Sequence, residues 1–155
     1  MALLDKLTSG SSTPPDTSGM SKQAKLVCEL VADFNSNNLL TQIRNNNRSK
    51  SDIDKTYKYP DHFTSELIET KNFKMELLNS HNPYVVLQLH GGGYVGAFKT
   101  QYRMFAGLYS ELGKGASVLS IDYRVAPENP YPAALNDALY AYDWLLNHGY
   151  SENHI

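Results

Sequence analysis

Cysteine is nearly absent from this chain of 155 residues: Cys28 stands alone, so no disulfide can close within it. Its place among the apolar positions of a helical pattern reads as a small buried hydrophobe rather than a reactive thiol. Charge of one sign is not in excess either. Fourteen Lys and Arg against 16 Asp and Glu give a formal net charge of -2, which excludes the basic face that nucleic acid or an anionic membrane would need. Without such a face, the 11 tyrosines do not read as a platform for stacking bases. No apolar run approaches the roughly 20 residues of a membrane span. Met1-Ala-Leu-Leu-Asp5 is too short and too soon charged for a secretory signal. His148, Glu152 and His154 lie close together but without metal-site spacing, and a His near a helix C-terminus is explained by the dipole. These absences predict a cytoplasmic protein with no cofactor, no metal, no nucleic-acid partner and no membrane span, acting on a small neutral molecule.

At this length the chain is one domain or a piece of one, short for the larger α/β enzymes. Residues 9–20 are small, polar and broken by Pro14 and Pro15, and cannot bury enough surface to offset the entropy of ordering. Ser21 is a candidate N-cap, and Leu26, Val27, Leu30, Val31 and Phe34 recur at helical spacing, predicting a helix from about Ser21 to Phe34. A weaker helix runs through Leu39, Leu40 and Ile43, before loop chemistry returns in the polar run from Asn45 to Asp52.

From about Ser65 the pattern changes. Glu66–Thr70 and Phe73–Leu78 partly alternate around Lys71-Asn72, predicting an antiparallel hairpin. Tyr84–Leu89 is more continuously apolar, as expected of a strand covered on both faces. Tyr102–Leu112 carries Phe105, Leu108, Tyr109 and Leu112 at helical spacing, and Ala116–Asp122 reads as a further strand, completing a β-α-β crossover. Pro132 suits the first position of a helix whose apolar stripe is Leu135, Ala138, Leu139, Tyr142, Leu145 and Leu146.

Two motifs carry chemistry. His90-Gly91-Gly92-Gly93-Tyr94 follows an apolar strand, and consecutive glycines leave N–H groups with no Cβ in the way, free to converge on a developing negative charge. The second is Asp122-Tyr123-Arg124-Val125-Ala126-Pro127-Glu128. Its Asp and Arg read as an ion pair that fixes the loop, with Asp137 on the following helix a further partner for Arg124. Gly91, Gly93 and Gly96 also satisfy the Gly-x-Gly-x-x-Gly pattern of dinucleotide-binding loops, with Asp122 near the end of the next strand. In that pattern the helix starts within the glycines, whereas Ala97–Gln101 intervenes here, with Thr100 a candidate cap. Gly149-Tyr-Ser151-Glu-Asn153 begins like a nucleophile elbow but lacks the last glycine and follows a helix, so Ser151 reads as a loop or cap residue.

Together the two motifs resemble the hormone-sensitive-lipase-like branch of the α/β-hydrolases, a family of carboxylesterases and acetyl esterases. The resemblance is specific from Tyr84 to Ile155 and architectural before it. It implies an α/β fold: the N-terminal portion of an α/β-hydrolase, an antiparallel hairpin leading into a parallel sheet with crossover helices. Residues 1–20 would be a flexible leader, 21–60 a cap-like helical segment and 61–155 an incomplete hydrolase core. The oxyanion hole would fall on His90, Gly91, Gly92 and Gly93, with the Gly92 and Gly93 amides as donors, and Tyr94 would line the acyl pocket. The family's nucleophilic Ser, acid and His would come later in the chain, and no Gly-x-Ser-x-Gly occurs in these 155 residues. The expectation is therefore a segment of a carboxylic-ester hydrolase that is inactive alone. Its partners would be a small ester, and either a second chain supplying the missing half or another copy of itself. The other readings are a noncatalytic binding module and a dinucleotide-binding domain.

Overall fold

The computed structural model describes residues 18–26, 50–79 and 81–155. The chain divides into two compact units, Met1–Thr41 and Gln42–Ile155. In the first, residues 22–26 are helical, and Ser21 is the expected cap: its Oγ accepts from the Ala24 N–H at 3.2 Å and its carbonyl from the Lys25 N–H at 3.0 Å. The rest of that expected helix, Cys28, the weaker helix through Leu39–Ile43 and most of the leader lie outside the described residues.

The second unit is built on a four-stranded mixed sheet. Strands β1 (Ser65–Glu69) and β2 (Lys74–Leu78) form the expected hairpin, closed by the Thr70–Phe73 pair around Lys71-Asn72. Strand β3 (Val85–Leu89) leads through the glycine loop to helix α1 (Gln101–Leu112), which returns to β4 (Ser117–Asp122). Helix α2 (Ala133–Asn147) follows, and a short 3-10 turn, Glu152–His154, comes after it. The sheet order is β1-β2-β4-β3, with β4 antiparallel to β2 and parallel to β3. The β3-α1-β4 crossover is thus present as the periodicity predicts.

Strand alternation assigns each helix a face of the sheet. Met75, Leu77, Val85, Leu119 and Ile121 form one core with Ala141 and Leu145 of α2, and Leu78 and Val118 pack with Ala106 of α1 and Tyr59 on the other. The strands covered on both faces are β2 and β4, not β3. As an edge strand, β3 leaves Tyr84, Val86 and Leu89 exposed, so its apolar run marks an incompletely covered edge.

Both helices turn a different face inward from the one their large apolar residues suggest. α1 buries Arg103, Ala106 and Ser110 and exposes Phe105, Leu108, Tyr109 and Leu112. The sheet beneath presents Glu76 and Ser120 as well as apolar groups, and a face of small and polar residues lets the helix approach, with Arg103 pairing to Glu76. α2 buries Asp137, Ala141 and Leu145, with Ala138 partly buried, but leaves Leu135, Leu139 and Leu146 exposed. Here the burial of Asp137 decides the orientation, because its carboxylate must reach Arg124. Pro132 stands at the cap position, one residue before the expected one.

Candidate functional site

The site is the loop between β3 and α1, bordered by the turn after β4 and the start of α2. Leu89, His90, Gly91, Gly92, Gly93 and Tyr94 form one wall of a concavity of about 650 Å³. Tyr123, Tyr131, Pro132, Leu135 and Ala138 contribute to the rest. The lining is mostly apolar, which suits a small neutral ligand with a hydrocarbon portion.

Glycine is required at Gly92 for two separate reasons. Its φ of 139° is closed to L side chains, and a Cβ there would stand 2.7 Å from the Gly96 carbonyl oxygen. That close approach is a tight turn: the Gly92 carbonyl accepts from the amides of Val95 (3.2 Å) and Gly96 (2.9 Å). Gly93 also has a left-handed backbone, φ 61°, but open space around it. Tyr94 adopts φ 60° despite its side chain, a strained geometry for an aromatic residue. It is tied in place where its carbonyl accepts from the Ala126 N–H at 2.8 Å, joining the glycine loop to the turn after β4.

Among the described residues, the amides of Gly91, Gly92, Gly93 and Tyr94 donate to no protein acceptor, whereas the carbonyls of His90, Gly91, Gly92 and Tyr94 are all occupied. The loop thus keeps its acceptors engaged and its donors free beside an apolar hollow. Such a wall can stabilise an oxyanion.

His90 is buried under the loop, stacked face to face on Tyr123 with ring centroids 4.0 Å apart. Its Nδ1–H donates to the Gly91 carbonyl at 2.9 Å, which leaves Nε2 as an acceptor with no partner among the described residues. Burial holds the imidazole pKa below its ordinary value, so the ring is neutral and serves the loop as a donor. Burial likewise pushes the Tyr123 phenol up to about 12, and its hydroxyl, protonated throughout the physiological range, donates to the His90 carbonyl.

The second motif is scaffold. Arg124 forms a forked pair with Asp137, Nη2 to Oδ1 at 2.7 Å and Nε to Oδ2 at 3.0 Å, and its own amide donates to the same carboxylate at 2.9 Å. Asp122 takes no part in that pair. Its carboxylate accepts from the Phe98 N–H at 3.2 Å, and burial raises its pKa above the ordinary range.

The dinucleotide pattern meets a different geometry. α1 begins at Gln101, five residues beyond Gly96, and its N-terminus is already occupied by a carboxylate: Asp52 Oδ2 accepts from both the amide and the hydroxyl of Thr100 at 3.3 Å. Thr100 holds the cap position but makes no side-chain cap bond to the helix. Burial works against the Asp52 charge, but bonds from Lys55 and the Thr100 N–H outweigh it and hold the pKa below the ordinary value. A helix end so neutralised offers a diphosphate little. Sequence reading missed this contact, since nothing local joins residues 48 positions apart.

Other candidates are accounted for. Ser151 caps the 3-10 turn, accepting from the Asn153 N–H, and His148 stacks on Trp144 at 3.7 Å while bonding its carbonyl. Among the described residues no group of three His, Cys, Asp or Glu could hold a metal, and no helix is long and apolar enough to cross a membrane.

Comparison with known proteins bears on the fold. Residues 86–155 match the family model for the alpha/beta hydrolase fold. The chain is 48% identical over 69 residues to the esterase LipI of Mycobacterium tuberculosis, a match covering 42% of this chain and 20% of that protein. To hormone-sensitive lipase of Bos taurus it is 39% identical over 64 residues, covering 41% of this chain and 8% of the lipase. Among solved structures, EstE5 soaked with p-nitrophenyl butyrate matches 99% of this chain with 45% of its own, at 25% identity and a TM-score of 0.56. An esterase from the bacterial hormone-sensitive lipase family matches 76% of this chain with 44% of its own, at 29% identity and a TM-score of 0.52. Residues 86–155 therefore carry the α/β-hydrolase fold, and the chain is similar to hormone-sensitive-lipase-like members of it. The fold of the chain corresponds to the N-terminal part of that architecture, and it spans less than half the length of the relatives it matches.

Proposed function

We propose that this chain carries the anion-stabilising wall of a carboxylic-ester hydrolase. The observation that supports the reading best is the row of amides from Gly91 to Tyr94, uncommitted among the described residues, beside an apolar concavity. Ester cleavage concentrates charge on one oxygen in its tetrahedral intermediate, and each preorganised N–H donor aimed at that oxygen contributes roughly 3 to 4 kcal/mol. Gly92 and Gly93 are the proposed donors, His90 and Gly91 shape the loop, and Tyr94 lines the acyl side of the pocket. Substrates would be small esters.

A donor wall stabilises an intermediate but cannot form one. The 155 residues hold no Gly-x-Ser-x-Gly, so the nucleophile, acid and His would have to come from elsewhere, and the chain by itself is expected to be inactive. The purified chain should show no turnover of p-nitrophenyl acetate or butyrate. Hydrolysis that an organophosphate abolishes would overturn this. Co-expression with the C-terminal part of a related esterase separates the two remaining classes: recovered hydrolysis favours a segment of an ester hydrolase, and ligand binding without it favours a noncatalytic module.

The exposed edge of β3 supports a second element of the reading. Tyr84, Val86 and Leu89 offer an apolar strand edge, which pairs with a complementing polypeptide or with another copy of the chain. Sedimentation should show self-association that weakens in Val86→Lys. A monodisperse monomer at all concentrations would count against it.

A further inference from the structure

Each trans peptide unit is planar, with its C=O and N–H pointing in opposite directions, so a bond that holds one carbonyl also aims the next residue's amide. The glycine loop is held by its carbonyls. Tyr123 Oη donates to the carbonyl of His90, and Tyr102 Oη, from the first turn of α1, donates to that of Gly91 at 3.1 Å beside the His90 Nδ1–H. The Gly92 carbonyl is held within the loop by the Val95 and Gly96 amides. Three consecutive peptide planes are thus fixed on the carbonyl side, and the amides of Gly91, Gly92 and Gly93 are turned the other way.

We propose that Tyr102 and Tyr123 are positioning residues for this loop, their hydroxyls orienting the peptide planes that aim the Gly92 and Gly91 amides. The proposal rests on the reading of the loop as an anion cradle. Its reach is selective: Tyr102, sharing the Gly91 carbonyl with the His90 Nδ1–H, acts on Gly92, Tyr123 acts on Gly91, and Gly93 depends on the turn to Gly96. The ring contacts belong to a separate role. Tyr123 stacks on His90 and Tyr102 lies against His90 and Phe98, so replacing either tyrosine by Phe removes the hydroxyl and keeps the packing.

The full chain, labelled with 15N-glycine, can be titrated with phenylphosphonate and followed amide by amide. The wild type should show saturable downfield shifts at Gly92 and Gly93. In Tyr102→Phe the Gly92 shift should fall at least fivefold while Gly93 still responds, and in Tyr123→Phe the free-state Gly91 resonance should move without a change at Gly113. A purely structural role would weaken all responses together or lower the melting temperature. If the wild type responds and both variants respond identically to it, the positioning role is overturned; if the wild type is silent, the cradle itself fails. Should Tyr123→Phe not fold, Tyr102→Phe alone decides.

Discussion

Replacing Arg103 with Met tests how the segment from Asp52 to Tyr59 is fastened to the sheet. Arg103 is 3% exposed and uses its whole guanidinium: Nε donates to Glu76 Oε2 at 2.8 Å, Nη1 to the carbonyls of Asp52 and Lys55, and Nη2 to that of Ile53 at 2.6 Å. Among the described residues Glu76, also buried, would keep only the Tyr59 hydroxyl at 3.0 Å, and the carbonyls of Ile53 and Lys55 would lose their donor, while that of Asp52 keeps the Lys55 N–H. A buried charge left without its partner costs about 3 to 5 kcal/mol, a large part of the stability of a domain this size. Adding Glu76→Gln removes the stranded charge while keeping an acceptor for Tyr59, so the double variant should recover about 2 kcal/mol of that loss. Urea unfolding at neutral pH measures both, and the slope with denaturant should stay unchanged if only stability is affected. A single variant within about 1 kcal/mol of wild type, or a double variant as unstable as the sum of its parts, would refute the reasoning.

The two positive-φ glycines of the loop should separate strain from clash. Gly93→Ala meets open space and should cost about 1 kcal/mol, whereas Gly92→Ala adds a Cβ against the Gly96 carbonyl to a forbidden φ and should cost about 3 kcal/mol in the same unfolding assay. Equal costs would mean that the Gly92–Gly96 approach is unimportant. His90 should make stability depend on pH. Its folded pKa is depressed by burial, so below about 6.5 the unfolded chain binds a proton that the folded chain refuses, and stability falls with falling pH until the folded pKa is reached. The slope contributed is at most about 1.4 kcal/mol per pH unit. His90→Phe, which keeps a ring against Tyr123, should show a flatter dependence between pH 7.5 and 5.5 by thermal melting, and an unchanged one would show that His90 takes up its proton freely in the fold.

What could be read from the residues was what repeats locally. Alternation and helical spacing placed the hairpin, β3, α1, β4 and α2 within a residue or two, and the glycine run announced a bare backbone before any geometry was known. The facing of the helices was not legible in the same way. Large apolar residues at helical spacing pointed to Phe105, Leu108 and Leu112 as the buried side of α1, yet the helix turns Arg103, Ala106 and Ser110 inward because Glu76 lies on the sheet beneath. An ion pair between residues 27 positions apart leaves no periodic trace, but it outweighs the burial of Phe105, Leu108 and Leu112 against the sheet. The site divides along the same line. Its glycines were visible because only glycine tolerates those angles and approaches. The groups that hold them, Tyr102 from a helix and Tyr123 from beyond the next strand, are ordinary aromatics in sequence and acquire their role only when the crossover brings both hydroxyls to one loop. A reading confined to motifs therefore finds the atoms that would meet a substrate and misses those that aim them.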